Sequence, residues 1–546
     1  MPILNWLGRD EALKTAAKTP YRLLEEVPEL GYGDKSTDNM IIQGDNLEAL
    51  KALLPFYAGQ VKCIYIDPPY NTGKAFDHYD DNLEHSTWLS FIQPRIDVLK
   101  DFLREDGFFC CQIDDAEGQY LKVLLDEVFG RENYLTTFYI QVRYPNKTLA
   151  EDSDYQKVIE QCHIYSKSKI KAKVNRPIQE YSIDKFKYKI VELKSGQQIE
   201  LGNKKVEIFK EDEYTIEEVA PSIDGLKETW ATGSLTRVKA SAGEFFELYL
   251  ASRKNEDGLG CLYKVYGIGE DGLGYRYISG PKKVTANKGK FYSGIPMDRK
   301  EELKQGASYK SLPVTNFYDF SGNFGNCRLE GNADFKGGKK PEILIELLLN
   351  YFTNPNDLVL DSFLGSGTTA AVAQKMGRRY IGIEMGNHAI THCVPRLKAV
   401  VDGEQGGISK AVNWQGGGGF RFYKLGNEVF DADGCINEGI SFEDLSAHIW
   451  FTETKTPFNK PAEKSTFLGI KDNVAYALLY NGILKDKRVD GGNVLTNKTL
   501  NVILDDMKHI PYEKLVIYGE SSRISPARLK SLNIEFKQTP YDIKAR

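Results

Sequence analysis

The sequence predicts an α/β fold, in which a doubly wound parallel sheet is split by a mostly β insertion and followed by a small C-terminal α/β unit. Apolar strand patterns alternate with amphipathic helix patterns from Met40 to about Lys167, and the alternation resumes near residue 340. A length of 546 residues predicts several domains. The chain has no run of about 18 apolar residues, so no membrane span is predicted and the cytoplasm is the expected location.

The first half of the sheet is predicted between Met40 and Gly130. The stretch "MIIQGDNLEALKALLPFY" predicts a strand, a turn and a helix capped by Asp45 or Asn46. Next, "VKCIYI" predicts a buried strand that delivers Asp67 to its carboxyl end. A helix, a strand and a helix follow in "TWLSFIQPRIDVLKDFL", "GFFCCQID" and "AEGQYLKVLLDEVFG". In a parallel sheet, the carboxyl ends of the strands are where ligands bind.

The alternation of strand and helix patterns then stops, and this change sets the predicted domain boundaries. A segment rich in Tyr, Lys, Gly and Glu, with short alternating runs such as "KKVEIFK" and "LGYRYISG", predicts a mostly β insertion. Beyond it, Pro341 begins a helix, "DLVLDSF" and "RRYIGIEM" predict strands, and the helix between them ends at Gly377. Four glycines from Gly416 predict a flexible junction to a C-terminal unit for assembly or packing. The predicted domains are 1–170, 171–320, 321–415 and 416–546.

Composition excludes some kinds of site and leaves others open. The eight cysteines form no CxxC pair and only seven histidines are present, so no metal site is predicted; Cys110 and Cys111, in an apolar strand pattern, are predicted to be buried thiols. A net charge of −5 argues weakly against a surface that binds polyanions everywhere. Residues 281–310 nevertheless hold eight basic and three acidic side chains, which predicts either a solvated loop or a face that contacts phosphates.

The stretch "LVLDSFLGSGTTA" predicts a strand, a glycine turn and a helix. Gly365 and Gly367 let the backbone approach a ligand closely, and Asp361 would face a cationic group of that ligand. Glu384 ends the neighbouring strand 23 residues after Asp361, where an acid usually binds ribose hydroxyls. GxGxxG and GxxxxGK[ST] are both absent here, so S-adenosylmethionine fits better than a dinucleotide or a nucleoside triphosphate. The alternative is a plain strand–turn–helix corner.

The stretch "CIYIDPPYNTG" predicts a second site. Pro68 and Pro69 fix the backbone and remove two N–H donors, so carbonyl oxygens stand beside the Asp67 carboxylate. Rigid acceptors of this kind match the two N–H donors of an exocyclic amine, and Tyr70 could stack on the ring that carries it. A structural proline turn is the alternative.

Together, "DPPY" and "FLGSGTT" resemble the amino-group DNA methyltransferases that use S-adenosylmethionine and have a Rossmann-like sheet. The catalytic motif precedes the cofactor motif by 294 residues (361 − 67), which is the order of the beta class, with a target-recognition domain inserted between the halves. An Asp in first position is typical of adenine-N6 enzymes, whereas cytosine-N4 enzymes more often have Ser. The stretches "IIQGDNLEALKALLP", "IDPPYNTG", "FKGGKKPEILIELLL" and "GGFRFYKLG" are similar to Mod subunits of Type III restriction–modification systems.

The resemblance implies a role for each residue that matches the motifs. Asp67 and the Pro68 carbonyl would accept hydrogen bonds from the amino group of a flipped adenine, and Pro69 and Tyr70 complete the catalytic motif. Asp361, Phe363, Gly365 and Gly367 would surround the methionine part of S-adenosylmethionine, with the ribose on Glu384. The remaining cofactor-binding residues implied are Asp45, near the cofactor adenine, and Lys340 and Pro341, at the methionine end.

The resemblance also implies partners: double-stranded DNA, a second copy of the chain in a homodimer, and a separate restriction subunit with helicase and nuclease activity. Charge and aromatic content suggest four DNA contacts in the insertion, namely Tyr275, Arg276, Lys282 and Lys283. Other readings stay open: a solitary adenine or cytosine-N4 methyltransferase, a DNA-recognition subunit that mainly directs a partner nuclease or helicase, or methylation of RNA or a protein amide.

Overall fold

The computed structural model describes residues 3–71, 84–147, 154–230, 241–286, 289–332, 335, 338–431, 433–437, 439–459, 465–484, 492–539 and 543. The chain divides into two compact units. One comprises residues 1–175 and 315–546, and the other residues 176–314. Among the described residues, no helix is both long and apolar enough to cross a membrane.

The first unit is built on a large sheet. Eleven strands of the described chain form it; ten lie in the spatial order Arg22–Glu26, Gly419–Glu428, Met40–Gln43, Arg379–Glu384, Leu358–Asp361, Val61–Ile66, Leu103–Ile113, Ile159–Ser166, Tyr134–Gln141 and Phe317–Asp319. The eleventh, Tyr32–Gly33, pairs with Gly419–Glu428. The strands from Gly419–Glu428 to Leu103–Ile113 run parallel, which confirms the predicted parallel sheet. Ile159–Ser166 runs antiparallel beside Leu103–Ile113, an orientation that the alternation of strands and helices could not show.

Helices cover the sheet in two groups, as a doubly wound fold requires. The first group packs around His85–Phe102, and its other members are Arg9–Lys18, Asn46–Tyr57, Gly118–Phe129 and Phe442–Thr454. The second group packs around Thr368–Lys375 and includes Glu342–Phe352 and Val394–Val401. The crossovers through His85–Phe102 and Thr368–Lys375 move in opposite directions along the sheet. Right-handed crossovers therefore place these two helices on opposite faces.

Several predicted helix ends are confirmed. The Asp45 side chain accepts hydrogen bonds from the amides of Leu47 and Glu48, so it caps Asn46–Tyr57 as predicted. Pro341 precedes Glu342–Phe352. Gly130 follows Gly118–Phe129 with a φ of 86°, a conformation that favours glycine. Cys110 and Cys111 are buried, as predicted.

The glycine run at 416–419 differs from its prediction as a flexible junction. The Gly417 amide donates to the Val401 carbonyl at 2.8 Å, and Gln374 Nε2 donates to the Gly417 carbonyl at 2.8 Å. The strand that follows, Gly419–Glu428, is an inner member of the large sheet. The prediction is wrong here because glycines with positive φ also form tight, hydrogen-bonded approaches to a strand.

The C-terminal residues form a smaller α/β layer within the first unit. Its sheet has the strands Phe467–Lys471, Val474–Leu478, Lys514–Gly519 and Ile534–Gln538, with Val494–Leu495 and Ser521–Ser522 as a separate pair and Asn497–Asp506 and Pro526–Ser531 as helices. Helix Phe442–Thr454 packs on Asn46–Tyr57, and the Phe458 amide donates to the Pro55 carbonyl at 2.7 Å. This layer is therefore attached to the large sheet through the helix that Asp45 caps.

Residues 176–314 form a mostly β unit. Its sheet has the order Gln197–Leu201, Lys204–Phe209, Leu262–Tyr266, Tyr275–Ser279, Lys290–Ser293, Leu226–Trp230, Phe186–Glu192 and Tyr214–Glu218. Ile178–Glu180 and Tyr309–Ser311 pair with each other near the two ends of the unit. Among the described residues of this unit, helical segments lie at Ser241–Phe245, Phe246–Leu250, Arg253–Asn255 and Met297–Lys304. Elsewhere, short helical segments lie at Arg131–Asn133, Ser321–Phe324, Cys327–Asn332 and Ala389–Cys393.

Candidate functional site

The two sequence motifs meet at the carboxyl edge of the large sheet. Val61–Ile66 and Leu358–Asp361 are neighbouring parallel strands, with Leu360 opposite Ile64. Asp67 follows the first strand and Asp361 ends the second, so residues 294 positions apart in the chain stand side by side. This edge is where doubly wound sheets bind ligands.

Asp67 has one engaged and one unengaged carboxylate oxygen. Its Oδ2 atom lies 2.8 Å from Lys340 Nζ, while the buried Oδ1 accepts no hydrogen bond from any described residue. Burial raises the pKa of Asp67, the Lys340 ammonium opposes that rise, and the Glu160 carboxylate adds to it. Buried polar atoms normally have a hydrogen-bond partner, so this oxygen is available to a donor on a ligand.

Tyr70 is fixed by Glu160, a residue that the sequence did not single out. The Tyr70 hydroxyl donates to Glu160 Oε2 at 2.9 Å, and Gln112 Nε2 donates to the same oxygen at 2.5 Å. Lys340 Nζ lies 4.8 Å from the centroid of the Tyr70 ring. Burial, together with Asp67, raises the pKa of Tyr70 well above its usual value, so the phenol stays protonated.

Hydrogen bonds from other side chains fix the proline turn. Trp88 Nε1 donates to the Pro69 carbonyl at 2.8 Å, and Pro68 is buried. Asn71 has a φ of 58° and donates through Nδ2 to Glu117 Oε1 at 2.7 Å. Rigid dihedrals and these contacts fix the direction of the motif.

The cofactor motif forms a tight loop around Asp361. The Asp361 carboxylate accepts hydrogen bonds from the Phe363 amide at 2.9 Å and the Thr369 hydroxyl at 2.6 Å. Burial raises the pKa of Asp361 to about 7 despite those two donors. Gly365 and Gly367 have φ values of 56° and 82°, which side chains rarely adopt.

Glu384, expected to bind ribose, is used in the structure to hold this loop. Its Oε2 accepts from the Gly365 amide at 2.7 Å, and its Oε1 accepts from the Gly386 amide at 3.1 Å. His388 Nε2 lies 2.9 Å from Oε1. These partners lower the pKa of Glu384 although burial alone would raise it. A ribose would have to share this carboxylate with the protein.

Asp45 is linked to the loop through a chain of side-chain contacts. Its Oδ2 pairs with Arg95 Nη2 at 2.8 Å, and Arg95 Nε donates to Asn46 Oδ1 at 2.5 Å. Asn46 Nδ2 in turn donates to the Ser362 carbonyl at 2.9 Å. Next in the chain, Phe363 is buried and packs edge-on against a ring of helix His85–Phe102. Asp45 thus orients the loop in addition to capping its helix.

A buried ionic cluster contacts the start of the helix that follows the loop. Glu342 accepts from Lys375 Nζ at 2.7 Å and from Arg396 Nη2 at 2.8 Å, and all three side chains have zero exposure. Arg396 Nη1 donates to the Thr368 hydroxyl at 2.8 Å, at the start of helix Thr368–Lys375. Pro341, the residue before Glu342, is also buried. The sequence offered no signal for this cluster because its members come from separate elements.

The residues at this edge fit S-adenosylmethionine. The raised pKa of Asp361 marks a buried carboxylate that lacks a cation, which a sulfonium or ammonium group would supply. The buried Ser362 hydroxyl also lacks a hydrogen-bond partner among the described residues. The backbone of Gly365 and Gly367 leaves room for close approach. The carboxylate and the hydroxyl match polar groups of this cofactor, and the glycine loop gives it space.

The four suggested DNA contacts lie in the unit 176–314 and are not one cluster. Tyr275 and Arg276 are consecutive in a strand, so their side chains point to opposite faces. Arg276 Nη2 pairs with the buried Asp271 at 3.1 Å. Lys282 and Lys283 are exposed. Within the basic segment, Lys288 lies outside the described residues, and three other basic side chains form the ion pairs Lys290–Glu228, Arg299–Glu302 and Lys300–Asp224.

A doubly wound sheet with a glycine loop beside a rigid acidic turn defines an α/β protein that binds a nucleoside-type cofactor. Residues 61–394 match a family model described as DNA methylase, more than half of the 546 residues. The chain belongs to this DNA methylase family.

Known relatives are modification enzymes. The chain is 35% identical over 415 residues to the "Probable type III restriction-modification enzyme HindVI Mod subunit" of Haemophilus influenzae, covering 71% of this chain and 54% of the relative. It is 28% identical to the EcoPI Mod subunit of Escherichia phage P1, covering 69% and 62%. It is 26% identical to the Type II methyltransferase M.KpnI of Klebsiella pneumoniae, covering 65% and 82%. The chain thus spans little more than half the length of the Mod subunits it matches.

Proposed function

We propose that this chain transfers a methyl group from S-adenosylmethionine to the N6 amino group of an adenine flipped out of double-stranded DNA. The observation that carries the proposal is the unengaged, buried Oδ1 of Asp67, which stands beside an aromatic ring and next to the Asp361 loop. An acceptor and a stacking surface, side by side, match a flat base that carries an amine.

The residues present account for the chemistry of the amine. Its lone pair is delocalised into the ring, so the nitrogen is a poor nucleophile. Hydrogen bonds from its two N–H groups to Asp67 Oδ1 and the Pro68 carbonyl favour a pyramidal nitrogen with the lone pair free. That pair forms the new N–C bond, the electrons of the S–C bond remain on sulfur, and one N–H proton leaves toward Asp67. S-adenosylmethionine, when bound, supplies an electrophilic methyl group.

Other residues of the site would bind and orient. Asp361 would face the positive charge at the methionine end, and Phe363, Gly365 and Gly367 would line that end of the pocket. Tyr70 would stack on the flipped base, which offsets part of the cost of unstacking it. Glu384 would accept from the ribose hydroxyls while it holds the loop, Asp45 would lie near the cofactor adenine, and Pro341 would flank the methionine end.

We also propose that the chain is the modification and specificity subunit of a Type III system. The Mod names of the relatives support this assignment. In that role the chain works in the cytoplasm as a homodimer, the unit 176–314 reads the target sequence, and cleavage belongs to a separate restriction subunit. Co-purification of a large ATPase–nuclease polypeptide with the native protein tests that partner directly, and its absence would favour a solitary enzyme.

The reaction is tested by product analysis. The purified chain is incubated with labelled S-adenosylmethionine and unmethylated DNA, and the DNA is digested to nucleosides. We expect label in N6-methyladenine with the wild type and none with Asp67→Ala, which should still bind DNA. Label in N4-methylcytosine would move the chemistry to cytosine, and label retained by Asp67→Ala would refute the role of this motif.

A further inference from the structure

We infer that Lys340 and Glu160 are positioning residues of the base pocket. Lys340 holds the Asp67 carboxylate so that one oxygen stays available to the amine, and Glu160 holds both Lys340 and Tyr70. The inference rests on the proposed function. It assigns Lys340 to the methyl-accepting side, whereas the resemblance placed this residue with the cofactor.

The contacts of Lys340 carry the first half of the inference. Its side chain is 7% exposed and lies 2.8 Å from Asp67 Oδ2. The other oxygen of Asp67 accepts no hydrogen bond from the described residues. The charge-assisted contact at Oδ2 restricts rotation of the Asp67 carboxylate, so the orientation of Oδ1 is fixed. An adenine amine can therefore bind to Oδ1 without displacing the ammonium.

The contacts of Glu160 carry the second half. This residue lies in the antiparallel strand Ile159–Ser166, and its Oε2 accepts from the Tyr70 hydroxyl and from Gln112. The same oxygen is 3.7 Å from Lys340 Nζ. One carboxylate thus fixes the stacking ring and balances part of the lysine charge. Removing it would loosen both surfaces that the base would contact.

Electrostatics give Lys340 a second task. Burial favours the protonated form of a carboxylate. A protonated Asp67 could not accept hydrogen bonds at both oxygens, from Lys340 and from the amine, and could not take up a proton from the amine. The ammonium opposes this tendency, while Asp67 and Glu160 together raise the pKa of Lys340 and keep it charged. Six other titratable groups interact electrostatically with Asp67 or Lys340. They are Tyr65, Tyr70, Cys111, Cys162, Cys327 and Asp361.

The test compares Lys340→Met and Lys340→Arg with the wild type in methylation of unmethylated genomic DNA, measuring kcat and the KM for S-adenosylmethionine as functions of pH. For Lys340→Met we expect kcat near neutral pH to fall about 100-fold, as for loss of a preorganised polar contact. We expect the KM for the cofactor to stay within about threefold of the wild-type value, well below the effect of a lost charge-assisted contact. Activity should recover toward alkaline pH, and Lys340→Arg should restore part of kcat.

Lys339→Met is the matched control. The neighbouring Lys339 donates to the carbonyls of Arg328 and Glu330, and burial lowers its pKa to about 8. Its variant therefore loses a mostly protonated ammonium one position away near neutral pH, where its kcat should match that of the wild type. A raised cofactor KM with unchanged kcat in Lys340→Met would return this lysine to the cofactor site and overturn the inference. So would a pH profile that overlays the wild type. If the wild-type chain methylates no DNA, the proposed function fails instead, which keeps the two failures distinct.

Discussion

Glu384 Oε2 accepts a 2.7 Å hydrogen bond from the backbone amide of Gly365. This contact joins the end of one central strand to the glycine loop that follows its neighbour. The loop therefore has its shape before any ligand arrives. A residue expected to contact the cofactor thus also shapes the surface on which the cofactor would lie.

Glu384→Gln should weaken cofactor binding more than it weakens folding. The amide group cannot accept from both Gly365 and Gly386, so one buried N–H loses its partner at a cost of about 1–3 kcal/mol. We expect the Kd for S-adenosylmethionine, measured by calorimetry, to rise about tenfold or more. An unchanged Kd with a lower Tm would show that the contact stabilises the fold alone.

Cofactor binding should release a proton near neutral pH. The pKa of Asp361 is raised to about 7, and a cation bound beside it would lower that pKa. Below pH 7 the cofactor must displace the proton, so its affinity should fall as pH falls, approaching about tenfold per pH unit. Calorimetry in buffers of different ionisation enthalpy measures the released proton. In Asp361→Asn this pH dependence should vanish, and its persistence would assign the proton to another group.

Tyr70→Phe and Tyr70→Ala should separate the two contacts of this residue. The phenylalanine keeps the ring but loses the hydroxyl, which hydrogen-bonds Glu160 and helps to lower the pKa of Asp67, so kcat should fall less than about tenfold. The alanine loses the stacking surface, worth about 1–3 kcal/mol per base, and should fall further, by about 10- to 100-fold. Equal losses in the two variants would contradict a stacking role.

Lys375→Met should strongly destabilise the first unit. Lys375 has zero exposure and pairs with both Glu342 and the mostly buried Glu404, while Arg396 also pairs with Glu342. Removing the ammonium leaves Glu404 without this ion-pair partner, and losing one partner of a buried pair costs about 3–5 kcal/mol. Urea denaturation measures the loss, and Lys410→Met, at an exposed position, is the control. A midpoint shift no larger than that of the control would mean that Arg396 is enough to neutralise Glu342 and that Glu404 tolerates the loss of its partner.

The suggested DNA contacts should divide into two classes. Lys282 and Lys283 are exposed, so replacing both by Ala should reduce the slope of log affinity against log salt by about two, one for each phosphate contact. Arg276 pairs with Asp271, so Arg276→Ala should lower the stability of the unit and leave that slope unchanged. DNA binding at several salt concentrations, with Tm alongside, distinguishes the classes. A slope that falls only in Arg276→Ala would reverse the assignment.

Local signals explain which parts of the fold could be predicted. The Asp45 cap, the buried strand before Asp67 and the glycine loop after Asp361 each depend on a few consecutive residues. Glu160 gave no such signal, since it lies 93 positions beyond Asp67 (160 − 67) and reaches the site only through an antiparallel neighbour strand. The glycine run at 416 differs from its prediction because composition shows freedom of the backbone but not the hydrogen bonds that remove it.

The pairing of Ile178–Glu180 with Tyr309–Ser311 brings together the two chain segments through which residues 176–314 join the rest of the protein. On the other side of these junctions, the Asn175 amide donates to the Tyr351 carbonyl and the Tyr318 hydroxyl donates to the Tyr351 hydroxyl. The chain segments just before and just after residues 176–314 therefore both hydrogen-bond to Tyr351, a residue of helix Glu342–Phe352. Because the two ends of this unit pair with each other, a different insertion with paired ends would leave the strand order of the large sheet unchanged. For the proposed enzyme, a new target sequence could be acquired in one genetic exchange without rebuilding the chemistry.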